Sequence, residues 1–103
     1  MKESQALEIL SALSQDTRLR IVRFLVQCGS GGASAGEVGA HVGAVPSRAS
    51  FHLSVLENAG VVTSQRRSRH MIYRADVANL GGLMSFLLND CCAGHPDILA
   101  CCK

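Results

Sequence analysis

Tryptophan is absent from this 103-residue chain, tyrosine occurs once, and only 4% of residues are aromatic although 48% are hydrophobic. No apolar run reaches the roughly 18 residues that a membrane-spanning helix needs. The opening MKESQALEIL carries a Glu and interleaved polar residues, so it does not read as a secretory signal, and a cytoplasmic location is expected. In that compartment the five cysteines are not expected to form structural disulfides. Internal repeats and a separate linker are both lacking. The length allows one small domain, with a core near the lower end of what stands alone. Helical pieces that cannot bury all their apolar surface in one copy favour a dimer.

Acid is scarce where base is dense. Between Val45 and Ala75 lie five arginines (48, 66, 67, 69 and 74) and one acid, Glu57, although the whole chain carries only +2. A concentrated basic patch is the footprint of a polyanionic partner. The patch opens with VPSRASFHLSVLENAG, Val45 to Gly60. At 3.6 residues per turn, Ala49, Leu53 and Leu56 make a core stripe, and Ser47, Ser50, Phe51 and Ser54 share the other side. Pro46 suits the first turn and Gly60 the stop. Short hydrogen-bonding groups flanked by Arg48, with no acid among them, suit a DNA major groove.

Gln5 to Leu13 spaces Ala6, Leu7, Ile9, Leu10 and Leu13 as a first helix. Ser14 or Asp16 can cap a second, Thr17 to Gln27, with Leu19, Val22, Phe24, Leu25 and Val26 apolar and Arg18, Arg20 and Arg23 on its wet side. The Gly-rich loop from Gly29 ends in Ser34, and Glu37 three residues later completes a capping box for a short third helix through about His41. Gly43 ends that helix and the Val45–Gly60 helix follows at once, which is a helix-turn-helix. The period then changes. Val61 to Gln65 and His70 to Arg74 are β-prone runs around a charged RRSR tip, a hairpin wing. Asp76 caps a last helix through about Asn89, with Leu80, Leu83, Met84, Leu87 and Leu88 in one stripe; the Gly81–Gly82 pair on it suggests close helix–helix approach. The expected fold is mainly α with a β-hairpin wing: a dimeric winged helix-turn-helix of four helices, two strands and a fifth helix. Residues 1–90 would form that domain and residues 91–103 a cysteine-rich tail.

Over residues 7 to about 90 the chain resembles the ArsR/SmtB family of metal- and metalloid-responsive repressors. The resemblance rests on DTRLRIVRFL, ASFHLSVLENAGVV and the wing ending in IYR, taken together. It implies that the first and last helices make the dimer interface, that the third and fourth bind DNA, and that an inducer lowers DNA affinity. Double-stranded operator DNA with an inverted repeat is then the expected partner. Ser47, Arg48, Ser50 and Phe51 are the candidate base-edge contacts, Arg to guanine and Phe to a thymine methyl. Phe51 has a second reading, an aromatic tucked against the wing. Ser54 shares the face, and His52 is either a phosphate contact or a boundary residue of the core. Arg66, Arg67 and Arg69 at the tip are candidate phosphate or minor-groove contacts.

Four cysteines crowd into CCAGHPDILACC: Cys91, Cys92, Cys101 and Cys102. No cysteine lies in EVGAHVG, where the prototype arsenic regulators of the family carry theirs. The last helix offers Asp76 and Asp90 but no His, unlike the zinc sensors. The tail resembles that of an arsenite-responsive subgroup with a Cys-Cys pair ending the last helix and a third Cys soon after. That third Cys falls nearer the pair, where this chain has Ile98 and Leu99. Adjacent Cys91 and Cys92 cannot close an unstrained disulfide, yet both can ligate one centre. Soft thiolates select soft acceptors, and trivalent arsenic or antimony takes three. Gly94 and Pro96 would break the helix and let Cys101 or Cys102 return to the pair, or the partner subunit could supply the third thiol. Tetrahedral zinc or cadmium, a redox-sensing thiol pair, and an incidental tail remain open alternatives. Cys28 reads as a small apolar residue. No obligatory cofactor is expected. Enzymatic thiol chemistry is not expected either, because it favours C-x-x-C at a helix N-terminus, whereas a helix C-terminus disfavours the thiolate.

Overall fold

The computed structural model describes residues 1–101, so the candidate ligand Cys102 lies outside the described residues. Helix α1 (Glu3–Leu13) runs into α2 (Asp16–Cys28) across a two-residue break, and the cap there is neither Ser14 nor Asp16. The Gln15 side chain instead accepts from the Arg18 N–H at 2.8 Å. A single 3₁₀ turn (Gly29–Gly31) leads to β1 (Ala33–Ser34). Helix α3 (Ala35–Val42) begins with the expected capping box: the Ser34 hydroxyl accepts from the Glu37 N–H at 3.2 Å, and the Glu37 carboxylate from the Ser34 N–H at 3.0 Å. The Ser34 N–H, and then the Ser34 hydroxyl, hold the Glu37 carboxyl below its usual pKa. Gly43 and Gly60 close α3 and α4 (Pro46–Ala59) in the left-handed conformation.

The wing is the hairpin of β2 (Val62–Arg67) and β3 (His70–Ala75), antiparallel from Val62↔Ala75 to Arg67↔His70. Strand β1 adds to the far edge of β3, Ala33 opposite Tyr73 and Ser34 opposite Ile72, giving the order β1-β3-β2. Two residues carry too little alternation to announce a strand, and their extended state comes from the sheet edge waiting for them. Asp76 caps α5 (Val77–Ser85) as expected, accepting from the Asn79 N–H at 3.0 Å.

The core is aliphatic. Ile9, Ile21, Leu25, Val38, Leu53, Leu56, Val61, Val62 and Leu83 are fully buried and come from the first four helices, the start of the wing and the last helix. At about 1.5–3 kcal/mol per large side chain this burial is the main stabilising term. Of the expected stripe of α1, Ala6 and Ile9 pack inward, joined by Ala12, whereas Leu7 and Leu10 are exposed. Cys28 is half-buried against the core. The last helix does not run on as α to Asn89. It changes to a π-helical turn over Phe86–Cys91, in which the Leu87 carbonyl accepts from the Cys92 N–H at 3.0 Å. Positive φ at Ala93 and Gly94 then turns the chain into a short α6 (Pro96–Ala100). Among the described residues no helix is long and apolar enough to cross a membrane.

Candidate DNA-binding face and cysteine pair

Helices α3 and α4 meet at a turn that only a small residue permits. A Cβ on Gly39 would stand 2.8 Å from the Ala44 carbonyl oxygen and 3.4 Å from the Ala49 methyl. The Ala44 N–H donates to the Gly39 carbonyl at 2.9 Å, which fixes how α4 leaves the turn. With Ala49, Leu53 and Leu56 buried beneath it, α4 projects Ser47, Arg48, Ser50, Phe51 and Ser54 outward, all exposed. Phe51 is 61% exposed, so it stands clear rather than being tucked against the wing. Arg66, Arg67 and Arg69 are exposed around the hairpin tip, where Ser68 takes the left-handed conformation.

Two basic groups have other duties. Arg74 of β3 donates through Nε to the Ser30 carbonyl at 2.6 Å and through Nη1 to Gln65 Oε1 at 3.0 Å, tying the wing to the turn after α2. Arg18 does not lie on the wet side of α2: its Nε donates to the Ala12 carbonyl at 2.7 Å, and its Nη1 lies 3.3 Å from His52 Nδ1. Of the two readings of His52, the structure places it on the core side: it is only 7% exposed and faces inward from α4. Burial first, then the Arg18 and Arg48 charges, hold its imidazole below the ordinary histidine pKa. The spacing of α4 left His52 on a boundary; only the approach of α2 decided its side.

At the other end of the molecule, Cys91 closes the π-helical turn and is exposed, and Cys92 is half-buried beside it. The neighbouring Cys91 thiol, and then burial, raise the Cys92 pKa above the ordinary thiol value. Cys101 is not joined to them; its thiol donates to the Asp97 carbonyl at 3.4 Å within α6. Among the described residues no three His, Cys, Asp or Glu side chains are grouped to hold one metal ion. Two thiols therefore stand together and a third does not. Cys91 also borders a groove of about 610 Å³ between the last helix and α1, lined by Glu3, Leu7, Leu10, Phe86, Leu87 and Asp90.

Residues 13–65 match the family of helix-turn-helix domains. The HTH-type transcriptional regulator YgaV of Escherichia coli (strain K12) is 33% identical over 88 residues, 85% of this chain and 87% of YgaV. An ArsR-like transcriptional regulator from Rhodococcus sp. RHA1 superposes with a TM-score of 0.77 at 25% identity, covering 94% of this chain and 89% of its own. A crystal structure described as a "possible transcriptional regulator for arsenical resistance" gives a TM-score of 0.67 at 33% identity over 81% of this chain and 88% of that one. All three are described as transcriptional regulators, the last as a possible one. The chain thus belongs to the helix-turn-helix family, as a winged-helix, DNA-binding transcriptional regulator related to the ArsR/SmtB-like superfamily.

Proposed function

We propose that the protein is a homodimeric cytoplasmic repressor that binds an inverted-repeat operator when ligand-free and is released by trivalent arsenic or antimony. Residues 1–90 would bind DNA and dimerise, with Ser47, Arg48, Ser50 and Phe51 at base edges, Ser54 on the same face, and Arg66, Arg67 and Arg69 on phosphates or in the minor groove. The tail from Cys91 would sense. The observation that carries the sensing role is the adjacent Cys91 and Cys92 at the end of the last helix, near enough for one thiol to raise the pKa of the other. A soft trivalent centre bridges such a pair readily, and Cys101 or Cys102 would close the set as the tail bends at Ala93 and Gly94. The similarity to a chain described as a possible transcriptional regulator for arsenical resistance supports the choice of element.

Dimerisation is supported by the exposed Leu7 and Leu10 of α1 and Met84 of α5, a costly display for a protein this small. Cys91 borders the groove that contains Leu7 and Leu10, so ligation there would act on the subunit contact and through it on the spacing of the two recognition helices. A ligand shifts that equilibrium only by its differential affinity for the two states. A tenfold loss of operator affinity needs about 1.4 kcal/mol. The test is a gel-shift titration with arsenite, antimonite, zinc, cadmium and peroxide on the wild type and on Cys91→Ser/Cys92→Ser. Release by arsenite in the wild type alone supports the reading. Normal release from the double variant removes the tail as the sensor, and release by peroxide or by zinc alone replaces the metalloid.

A further inference from the structure

His52 is the one buried polar residue among the described residues, and it sits on the helix that faces DNA. Arginine is always protonated and can only donate. Its approach at 3.3 Å therefore makes His52 Nδ1 an acceptor, the neutral tautomer with its proton on Nε2. The same guanidinium serves the Ala12 carbonyl through Nε. Ala12 lies in the last turn of α1, where carbonyls lack intrahelical partners and a cation is favoured, and that turn has no basic residue of its own. On the other side the His52 ring meets the exposed Phe51 ring edge-on, centroids 5.5 Å apart at 62°. One unbroken run of contacts thus joins the end of α1 to an outward side chain of α4.

We propose that Arg18 and His52 are a positioning pair, which locks the recognition helix to the end of α1, fixes the Phe51 ring, and so determines how sharply the protein discriminates DNA sequence. The proposal rests on α4 being the helix that reads bases. The pair itself touches no DNA. Its loss is expected to lower discrimination between sequences while leaving the sequence-independent, salt-sensitive attraction to phosphates alone.

The test compares two probes: the duplex that the wild-type dimer enriches from a random-sequence library, and a shuffled duplex of the same composition. Arg18→Ala and His52→Leu should each cut the preference for the enriched duplex about tenfold, the scale of one good base contact. Affinity for the shuffled duplex and its salt slope should stay as in the wild type. The double variant should be no worse than the poorer single, the mark of two residues acting as one unit. His52→Asn, which retains an acceptor near the Nδ1 position, should recover most of the preference, and it serves as the second reading if His52→Leu fails to fold. Full additivity of the two changes overturns the pair. A salt slope reduced by about one on both duplexes also overturns it, because His52 would then be a phosphate contact. If Ser50→Ala and Arg48→Ala also leave the preference untouched, base reading by α4 fails and the proposal fails with it.

Discussion

Helix α3 contains two glycines whose replacement by alanine is expected to move stability in opposite directions. At Gly36, in the first turn, an added Cβ has only the Ser34 hydroxyl within 4 Å, at 3.9 Å. Gly36→Ala therefore gains helix propensity and loses unfolded-chain entropy, a stabilisation of about 0.5–1 kcal/mol. At Gly39 the same gain is available, but the new Cβ would stand 2.8 Å from the backbone oxygen of Ala44. A backbone oxygen cannot rotate aside like a side-chain tip. The turn must open, straining the Ala44 N–H to Gly39 carbonyl bond and pushing against the buried Ala49. Overpacking of this kind costs about 1–3 kcal/mol, which outweighs the propensity gain. For a domain of this size each kcal/mol shifts the midpoint by about 4–8 °C. Thermal unfolding of both variants at one protein concentration is the assay, since dimer stability depends on concentration. Gly36→Ala should melt higher than the wild type and Gly39→Ala lower, with DNA affinity reduced because the N-terminus of α4 has moved. If Gly39→Ala is as stabilising as Gly36→Ala, the α3–α4 turn is not sterically set and the reasoning is wrong.

Arg67→Ala should weaken DNA binding and lower its salt slope by about one, measured by fluorescence anisotropy across salt concentrations. Arg74→Ala should leave that slope unchanged and lower the melting midpoint, because its guanidinium is held by Ser30 and Gln65. Proton balance separates the inducer classes. Arsenous acid leaves as three waters that carry off the three thiol protons, so its capture should be nearly flat with pH. Zinc or cadmium must displace those protons, and its binding should strengthen as pH rises, the more so because the Cys92 thiol is held above its usual pKa. Titrations at several pH values would show a slope for arsenite if this balance is wrong. The depressed His52 pKa also predicts an acid limb of stability. As pH falls below the ordinary imidazole value the unfolded chain takes up a proton that the folded one refuses, so stability is full above that value, declines below it, and levels once the folded form is protonated too. Urea midpoints of His52→Leu should lack that limb; an unchanged limb would assign it to another group.

Much of this protein could be read from local chemistry. The Ser34–Glu37 capping box, Pro46 at the start of α4, Gly43 and Gly60 as stops, and the switch from helical to alternating period at Val61 are short-range signals, and each element stands where they put it. The outward set of Ser47, Arg48, Ser50, Phe51 and Ser54 followed from the helical period once Ala49, Leu53 and Leu56 were assigned to the core. Contacts between elements decided the rest, because no local pattern encodes them. Strand β1 exists only because β3 offers it an edge. Arg18 and Arg74 looked like surface cations until the Ala12, Ser30 and Gln65 acceptors were brought to them by packing. His52 sat on a boundary that the period could not resolve, and α2 drew it inside. The cysteine tail divides the same way. Sequence alone supplied the thiols, their softness and the adjacency of Cys91 and Cys92, since those are properties of the chain; only tertiary structure could show that Cys101 bonds within α6, since a meeting of side chains depends on where the backbone turns.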